Sequence, residues 1–329
     1  MICVIGELVV DLIPDPSADA GPEGTAPHFI ARPGGNALNV AVTAGRLGHP
    51  VRLLARLGRG PLRDHLRRHA EISGVDVSAM VDSDDPVSVA IVALDVTGSA
   101  DYSFHVLGAA DWQWTDEELA AGFPAEARAV HVGSISSWTA PGCEAIARLV
   151  ERLHDDGTAL VSVDPNIRPM LAEGFGNTAA DVHQRLDRLV AAADVVKVSS
   201  EDLDWLEPGH GDLDGVATRW AERGPGLVLL TDGGSPLRVA RPGRPLMRVR
   251  PPTVTVADTV GAGDALAAGL LTGLLESGVT SRRALDEVSD ADLERLVTTA
   301  SRVAALTCTR EGAQPPTRAE LDAWTAGQP

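Results

Sequence analysis

From Ala129 onward, short runs of Val, Leu and Ala alternate with longer amphipathic stretches, and this rhythm restricts the fold more than any other property of the chain. The runs Ala129 to Val132, Ala159 to Val163, Val195 to Val198 and Leu227 to Leu230 have the length and composition of buried strands. Between them, segments such as Cys143 to His154 and Asp181 to Ala192 place apolar residues at helical spacing. Strand and helix in regular turn predict an α/β fold: a largely parallel sheet with helices on both faces. In such a sheet the functional residues gather beyond the carboxyl ends of the strands. Polar or glycine-bearing residues follow each run here: Gly133-Ser134, Asp164-Pro165-Asn166-Ile167-Arg168, Ser199-Ser200-Glu201-Asp202 and Thr231-Asp232-Gly233.

The first third is less regular. Ile2 to Val10 is a β-type run interrupted at Gly6-Glu7 and ending at Asp11, and Asp15 to His28 reads as a loop rich in Pro, Gly, Ala and Asp. Gly34, Gly35, Asn36 and Asn39 open a helix of small residues. The glycines let a ligand approach the backbone, and the two amides offer uncharged donors and acceptors of the kind a sugar needs. Asn36 reads equally well as a helix cap. Leu53 to Leu57 predicts a strand, and Pro61 to Ile72 a helix whose His65 and His69 sit among arginines on a solvated face. Val87 to Leu94 and Tyr102 to Val106, around the polar tip Asp95 to Asp101, predict an antiparallel hairpin that belongs to an accessory layer.

The most informative stretch is Val256 to Leu271. Thr253 to Val256 is a β-branched run predicted as a strand, Gly261-Ala262-Gly263 a tight turn, and the Ala- and Leu-rich residues after Asp264 a helix. A glycine turn into a helix exposes first-turn N–H groups that suit an anion such as phosphate. A carboxylate at the same spot, Asp264, suggests proton removal during phosphoryl transfer.

Composition and charge narrow the alternatives. A net charge of −18 disfavours a general nucleic-acid or anionic-membrane surface, because either partner would be repelled beyond the contact. Cys3, Cys143 and Cys308 are scattered, indicating neither a disulfide framework nor a zinc site, and a reduced cytoplasm is the expected compartment. No apolar run approaches membrane-spanning length. Lys197 is the only lysine and follows Val196, which excludes the Gly-x-x-x-x-Gly-Lys phosphate loop, and no Gly-x-Gly-x-x-Gly follows the first strand.

Asp258-Thr259-Val260-Gly261-Ala262-Gly263-Asp264 resembles the Asp-Thr-x-Gly-Ala-Gly-Asp signature of the PfkB, ribokinase-like carbohydrate kinases. The resemblance extends over nearly the whole chain. Gly-Glu-Leu-Val-Val-Asp-Leu-Ile-Pro from Gly6, Gly108-Ala109-Ala110-Asp111 and Asp164-Pro165-Asn166-Ile167-Arg168 are similar to segments of fructokinase-like members. Gly58-Arg59-Gly60-Pro61-Leu62-Arg63 departs from the family's Gly-Asp-Asp-x-Phe-Gly, and Ser199 and Asp202 stand where the family carries Asn and Glu.

The resemblance implies a ribokinase-like three-layer α/β/α fold in a single domain over 1–329, with a small β lid from segments near 10–33 and 86–112. It makes Asp264 the base and Gly261, Ala262 and Gly263 the anion hole, with Asp11, Gly34, Gly35, Asn39 and Arg168 at the sugar. Asn166, Ser199, Thr231, Gly233, Gly263 and Ser301 are implied at ATP, Asp202 at Mg²⁺ through water, with Glu201 as runner-up, and Asp258 at a monovalent cation such as K⁺. The implied reaction is phosphorylation of a primary hydroxyl, with fructose first and 2-keto-3-deoxygluconate or ribose next. A regulator on the same fold that has lost catalysis is the alternative of another class. A free lid edge could pair two chains.

Overall fold

The computed structural model describes residues 1–15, 28–94, 100–174 and 177–327. The strands in chain order are β1 (Ile2–Ile5), β2 (Val9–Pro14), β3 (Phe29–Gly34), β4 (Val51–Leu54), β5 (Arg56–Arg59), β6 (Val81–Pro86) and β7 (Ser88–Leu94). They continue as β8 (Ala100–His105), β9 (Ala129–Gly133), β10 (Leu160–Asp164), β11 (Val195–Ser199), β12 (Leu227–Thr231), β13 (Leu237–Ala240) and β14 (Met247–Val249).

Eight of them form the main sheet in the order β14-β13-β12-β11-β10-β9-β1-β4. From β12 to β4 every pair is parallel, and β13 and β14 extend the sheet antiparallel. The four runs that alternate with amphipathic segments in the sequence are β9 to β12, side by side. Because side chains alternate across a strand, Val130, Val132, Val161 and Val163 pack one core, against the helices Gly142–Asp156 and Ala179–Ala191. Ala129, Leu160, Leu227 and Leu229 face the other, beneath the helices Asn36–Arg46, Ala262–Glu276 and Asp290–Cys308.

A second sheet, in the order β3-β2-β7-β8, stands apart from the first. The hairpin read from Val87 to Val106 is its β7–β8 pair, registered from Val89↔His105 to Leu94↔Ala100; most of its polar tip and most of the 15–28 loop lie outside the described residues. Asp111 ties the two sheets together: its carboxylate accepts from the Leu8 N–H at 2.8 Å, between β1 and β2, and from the Ser88 hydroxyl at 2.6 Å, at the start of β7.

Two local readings are corrected. Leu53 to Leu57 is not one strand; the chain leaves the main sheet at Ala55, and β5 pairs with β6 in a separate two-stranded sheet. Thr253 to Val256 is not a strand at all. Its β-branched residues have strand propensity but no partner beside them, and Val256 stands exposed; propensity without a neighbouring edge does not make a ladder.

The sheet also locates the site. Chain order runs from β1 to β4 on one side and from β9 to β12 on the other, so the strand order reverses between β1 and β9. A crevice beyond the carboxyl ends at such a reversal is where α/β folds hold ligands.

Candidate active site

A cleft of about 640 Å³ lies over those carboxyl ends, within the range of small-molecule sites. Its wall includes Glu7, Asp11 and Gly35 from the β1–helix segment, Ser134 after β9, Asn166 and Arg168 after β10, Lys197 and Ser199 to Asp202 at β11, Thr231 and Gly233 after β12, and Thr259 to Gly261, Gly263 and Asp264.

Asp264 is at the third position of the helix Ala262–Glu276, which starts at Gly261 with φ 76°. The N–H groups of a helix's first turn have no intrahelical acceptor. Ala262 N–H is taken by the Thr259 carbonyl at 3.2 Å, so among the described residues Gly263 and Asp264 leave the open amides; Ala262 itself is not on the cleft wall. Both oxygens of the Asp264 carboxylate accept hydrogen bonds, Oδ1 from Asn36 Nδ2 at 2.7 Å and Oδ2 from Asn39 Nδ2 at 2.8 Å. Asn36 thus neither caps its helix, which Gly35 does, nor faces the cleft alone. Burial pushes Asp264 above the usual carboxylate range, against the pull of Asn39, Lys197, Asn36 and Arg168.

The left-handed φ of Gly261 is costly for any other residue, and a Cβ there would stand 2.6 Å from the Ala313 Cβ. Gly261→Ala is therefore expected to destabilise the fold by about 1–3 kcal/mol and to lower turnover, read from thermal unfolding and steady-state rates.

Lys197, the lone lysine, turns out to be central. Its ammonium lies 3.1 Å from Asp164, a carboxylate with no exposure, and would meet a Cβ on Gly263 at 2.8 Å. The missing side chain at Gly263 is what lets this charge approach the helix start. Burial lowers Lys197, but Asp164, Asp202 and Asp264 more than offset this, and the amine is held charged. The signal in the sequence was a single lysine inside an otherwise apolar strand.

Asp11 on β2 reaches the cleft with its carboxyl raised to about 6 by burial, partly countered by Arg168. Gly34 backs it: a Cβ there would collide with the Asp11 carboxylate. Gly35, at φ 102°, lies under the Glu7 carbonyl, and the buried Glu7 accepts from Ser136 N–H at 3.2 Å and Ser136 Oγ at 2.8 Å. Ser134 and Asn166 are the two residues other than glycine with positive φ among the described residues, 53° and 40°. They meet across β9 and β10, Asn166 Nδ2 donating to Ser134 Oγ at 3.3 Å, a concentration of strain of the kind found at ligand sites. Arg168 is exposed and bonds Asn166 Oδ1 at 2.8 Å.

Of three further expected site residues, Asp202 lines the cleft, and Asp258 and Ser301 do not. Asp202 accepts from Ile167 N–H at 2.7 Å and from Ser199 N–H and Oγ at 2.9 and 2.6 Å, closing a capping box with Ser199, the cap of the helix Ser200–Leu206, and Glu201 is the exposed carboxylate beside it. Asp258 accepts from Val260 and Gly312 N–H at 3.0 and 2.7 Å, tying two loops together. Ser301 is buried in the helix Asp290–Cys308 and does not line the cleft.

Residues 1–320 match the pfkB family carbohydrate kinase. A fructokinase of Rhizobium leguminosarum bv. trifolii is 33% identical over 290 residues, 87% of this chain and 84% of that protein. The crystal structure of a fructokinase from Xylella fastidiosa with bound ATP has a TM-score of 0.86 at 29% identity, over 99% of this chain and 98% of the other. A fructokinase from Vibrio cholerae O395, in a form with fructose, ADP and calcium ion bound, gives 0.80 at 28% identity, over 98% and 97%. With a sheet reversal, a glycine-opened helix and a carboxylate meeting in one cleft, and with that match over nearly its whole length, the chain belongs to the pfkB family of carbohydrate kinases, phosphotransferases with an alcohol group as acceptor.

Proposed function

We propose that this chain is an ATP-dependent fructokinase, converting D-fructose and ATP to fructose 6-phosphate and ADP. The observation that carries the reading is Asp264, set at the start of a helix with open amides on one side and a sugar-sized cleft on the other. The two fructokinase structures, one with ATP and one with fructose and ADP, support the choice of substrates.

In this reading fructose lies between β2 and the strand ends, bonded by Asp11 and Asn39, and the nucleotide lies toward Ser199, Thr231 and Gly233. The primary hydroxyl oxygen attacks the γ-phosphorus in line. Its proton passes to Asp264 as the new O–P bond forms, and the bond from the γ-phosphorus to the bridging oxygen breaks, releasing ADP. Transfer of this kind has a loose transition state, so positioning and charge stabilisation carry most of the acceleration. Gly263 and Asp264 N–H groups, Lys197 and Arg168 supply the positive field. Mg²⁺ would be held through water at the Glu201 and Asp202 carboxylates on the cleft wall, Glu201 being the one without protein donors among the described residues, and would neutralise phosphate charge there. The second sheet, which brings Val9, Asp11 and Phe104 to the cleft, excludes water from the transferring group.

A coupled ADP-release assay over ketoses, aldoses, nucleosides and keto-acids tests the substrate. The highest kcat/KM is expected with fructose. Turnover confined to an aldose, a nucleoside or a keto-acid overturns the fructose assignment and leaves the kinase assignment standing.

A further inference from the structure

Behind Asp264 lies a buried residue that the reaction scheme does not use. His131, in the middle of β9, has no exposure and faces the helix Asn36–Arg46. Its Nε2 lies 3.3 Å from Asn36 Oδ1, and its Nδ1 lies 3.0 Å from Ser162 Oγ on β10. Asn36 in turn donates Nδ2 to Asp264 Oδ1 at 2.7 Å. Three hydrogen bonds therefore run without a break from β10 through β9 to the carboxylate, joining residues 162, 131, 36 and 264.

The direction of each bond follows from the last. An ionised carboxylate only accepts, so Asn36 must present its amide nitrogen to Asp264 and its carbonyl oxygen to His131. That oxygen also only accepts, so His131 must carry its proton on Nε2 and leave Nδ1 bare for the Ser162 hydroxyl to donate to. The imidazole remains neutral, because burial, helped by the Lys197 charge, lowers it to about 3. Gly133 leaves room for the amide: a Cβ there would press on Asn36 Oδ1 at 3.1 Å.

We propose that His131 is a positioning residue for the phosphoryl-transfer step: by donating from Nε2 it locks the Asn36 amide so that its nitrogen, and never its oxygen, faces the Asp264 carboxylate. Without that donor the amide is free to flip and turn a carbonyl lone pair toward the carboxylate, raising the proton affinity of Asp264 and loosening its aim. The titratable and charged groups that also face this assembly are Lys197 and Asp164 from β11 and β10, Asp202 from the helix Ser200–Leu206, and Arg168 from the loop after β10. The inference rests on the reading of Asp264 as the base.

The test is a set of variants assayed with ATP and fructose. His131→Leu removes the donor, and kcat is expected to fall about 10–100-fold, as for misplacement of a catalytic group, with KM for ATP held within about 2-fold. The acid limb of its kcat/KM profile moves to higher pH, because an ionised carboxylate has lost a donor. His131→Gln, which can offer a side-chain N–H at the same place, restores most of the rate and the original profile. If the leucine variant does not fold, His131→Phe keeps the ring and lacks the donor. The decisive comparison is in an Asn36→Ala background, where His131→Leu is expected to add less than about 2-fold because its route to Asp264 is already cut. A full additive loss in that background, or a wild-type rate and pH profile in His131→Leu and His131→Phe, overturns the proposal. Failure of the base assignment shows separately, as an Asp264→Asn rate within about tenfold of the wild type.

Discussion

Asp264→Asn is expected to lower kcat by about 10²–10⁴-fold, the range a positioned proton acceptor contributes, with little change in KM for ATP. Asparagine keeps the size of the side chain but cannot take the hydroxyl proton. It is also a poor guest in its own pocket: Asn36 and Asn39 each present a donor, one to each carboxylate oxygen, and a carboxamide can accept on only one side. The other side sets N–H against N–H. The wild-type pH profile carries a second expectation. Burial raises Asp264 above the ordinary carboxylate range. The base works ionised, so kcat/KM should be full above that raised value and fall as the pH drops through it, with the acid limb above the ordinary pKa of about 3.9. Steady-state rates of the variant, with nucleotide binding followed by calorimetry, check the first expectation. A variant within tenfold of the wild-type rate removes Asp264 from the chemistry.

Lys197→Met is expected to damage both activity and stability. The ammonium lies against Gly263 at the start of the helix Ala262–Glu276, so its loss removes a fixed positive charge where the migrating phosphoryl group is expected, and kcat should fall about 10²-fold. The stability effect depends on pH, and its sign follows from Asp164. Burial raises that carboxyl to about 7 even beside Lys197, far above its unfolded value. Below about 7 Asp164 keeps its proton in both proteins, and the substitution removes packing and the attraction between Lys197 and the Asp202 and Asp264 carboxylates. Above it the wild type holds an ionised pair, whereas the variant must either bury a lone carboxylate or keep a proton at a cost of about 1.4 kcal/mol per pH unit. The loss should therefore grow as pH rises through that value, toward the roughly 3–5 kcal/mol typical of a buried pair deprived of one partner. Thermal unfolding at pH 6 and pH 8.5 measures it (roughly one pH unit and more on either side of the Asp164 value). Equal losses at both pH values refute the pairing argument.

Much of the scaffold could be read along the chain because its determinants are local. The alternation of β9 to β12 with helices is written in residue periodicity, and the Gly261-Ala262-Gly263-Asp264 turn in backbone freedom followed by helix formers. The same locality explains the errors. Thr253 to Val256 has the composition of a strand, but a strand exists only when another lies beside it. Asp202 and Ser199 stand at the spacing of a capping box, which the structure forms, but the Ile167 N–H that Asp202 also accepts comes from the loop after β10 and has no local signal.

A mostly parallel α/β sheet, a second β layer and one turn equipped with glycine and a carboxylate are all legible along the chain. Which groups surround that carboxylate is settled only by packing. Asn36 and Asn39 reach Asp264 across 228 and 225 residues, and Lys197 finds Asp164 33 residues away. His131 and Lys197 each stand in the sequence as one polar residue inside a buried strand. A strand's own residues specify which side of the sheet such a group faces, but its partner is supplied by whichever helix or neighbouring strand the sheet order brings over it, and that order is a property of the whole chain's packing.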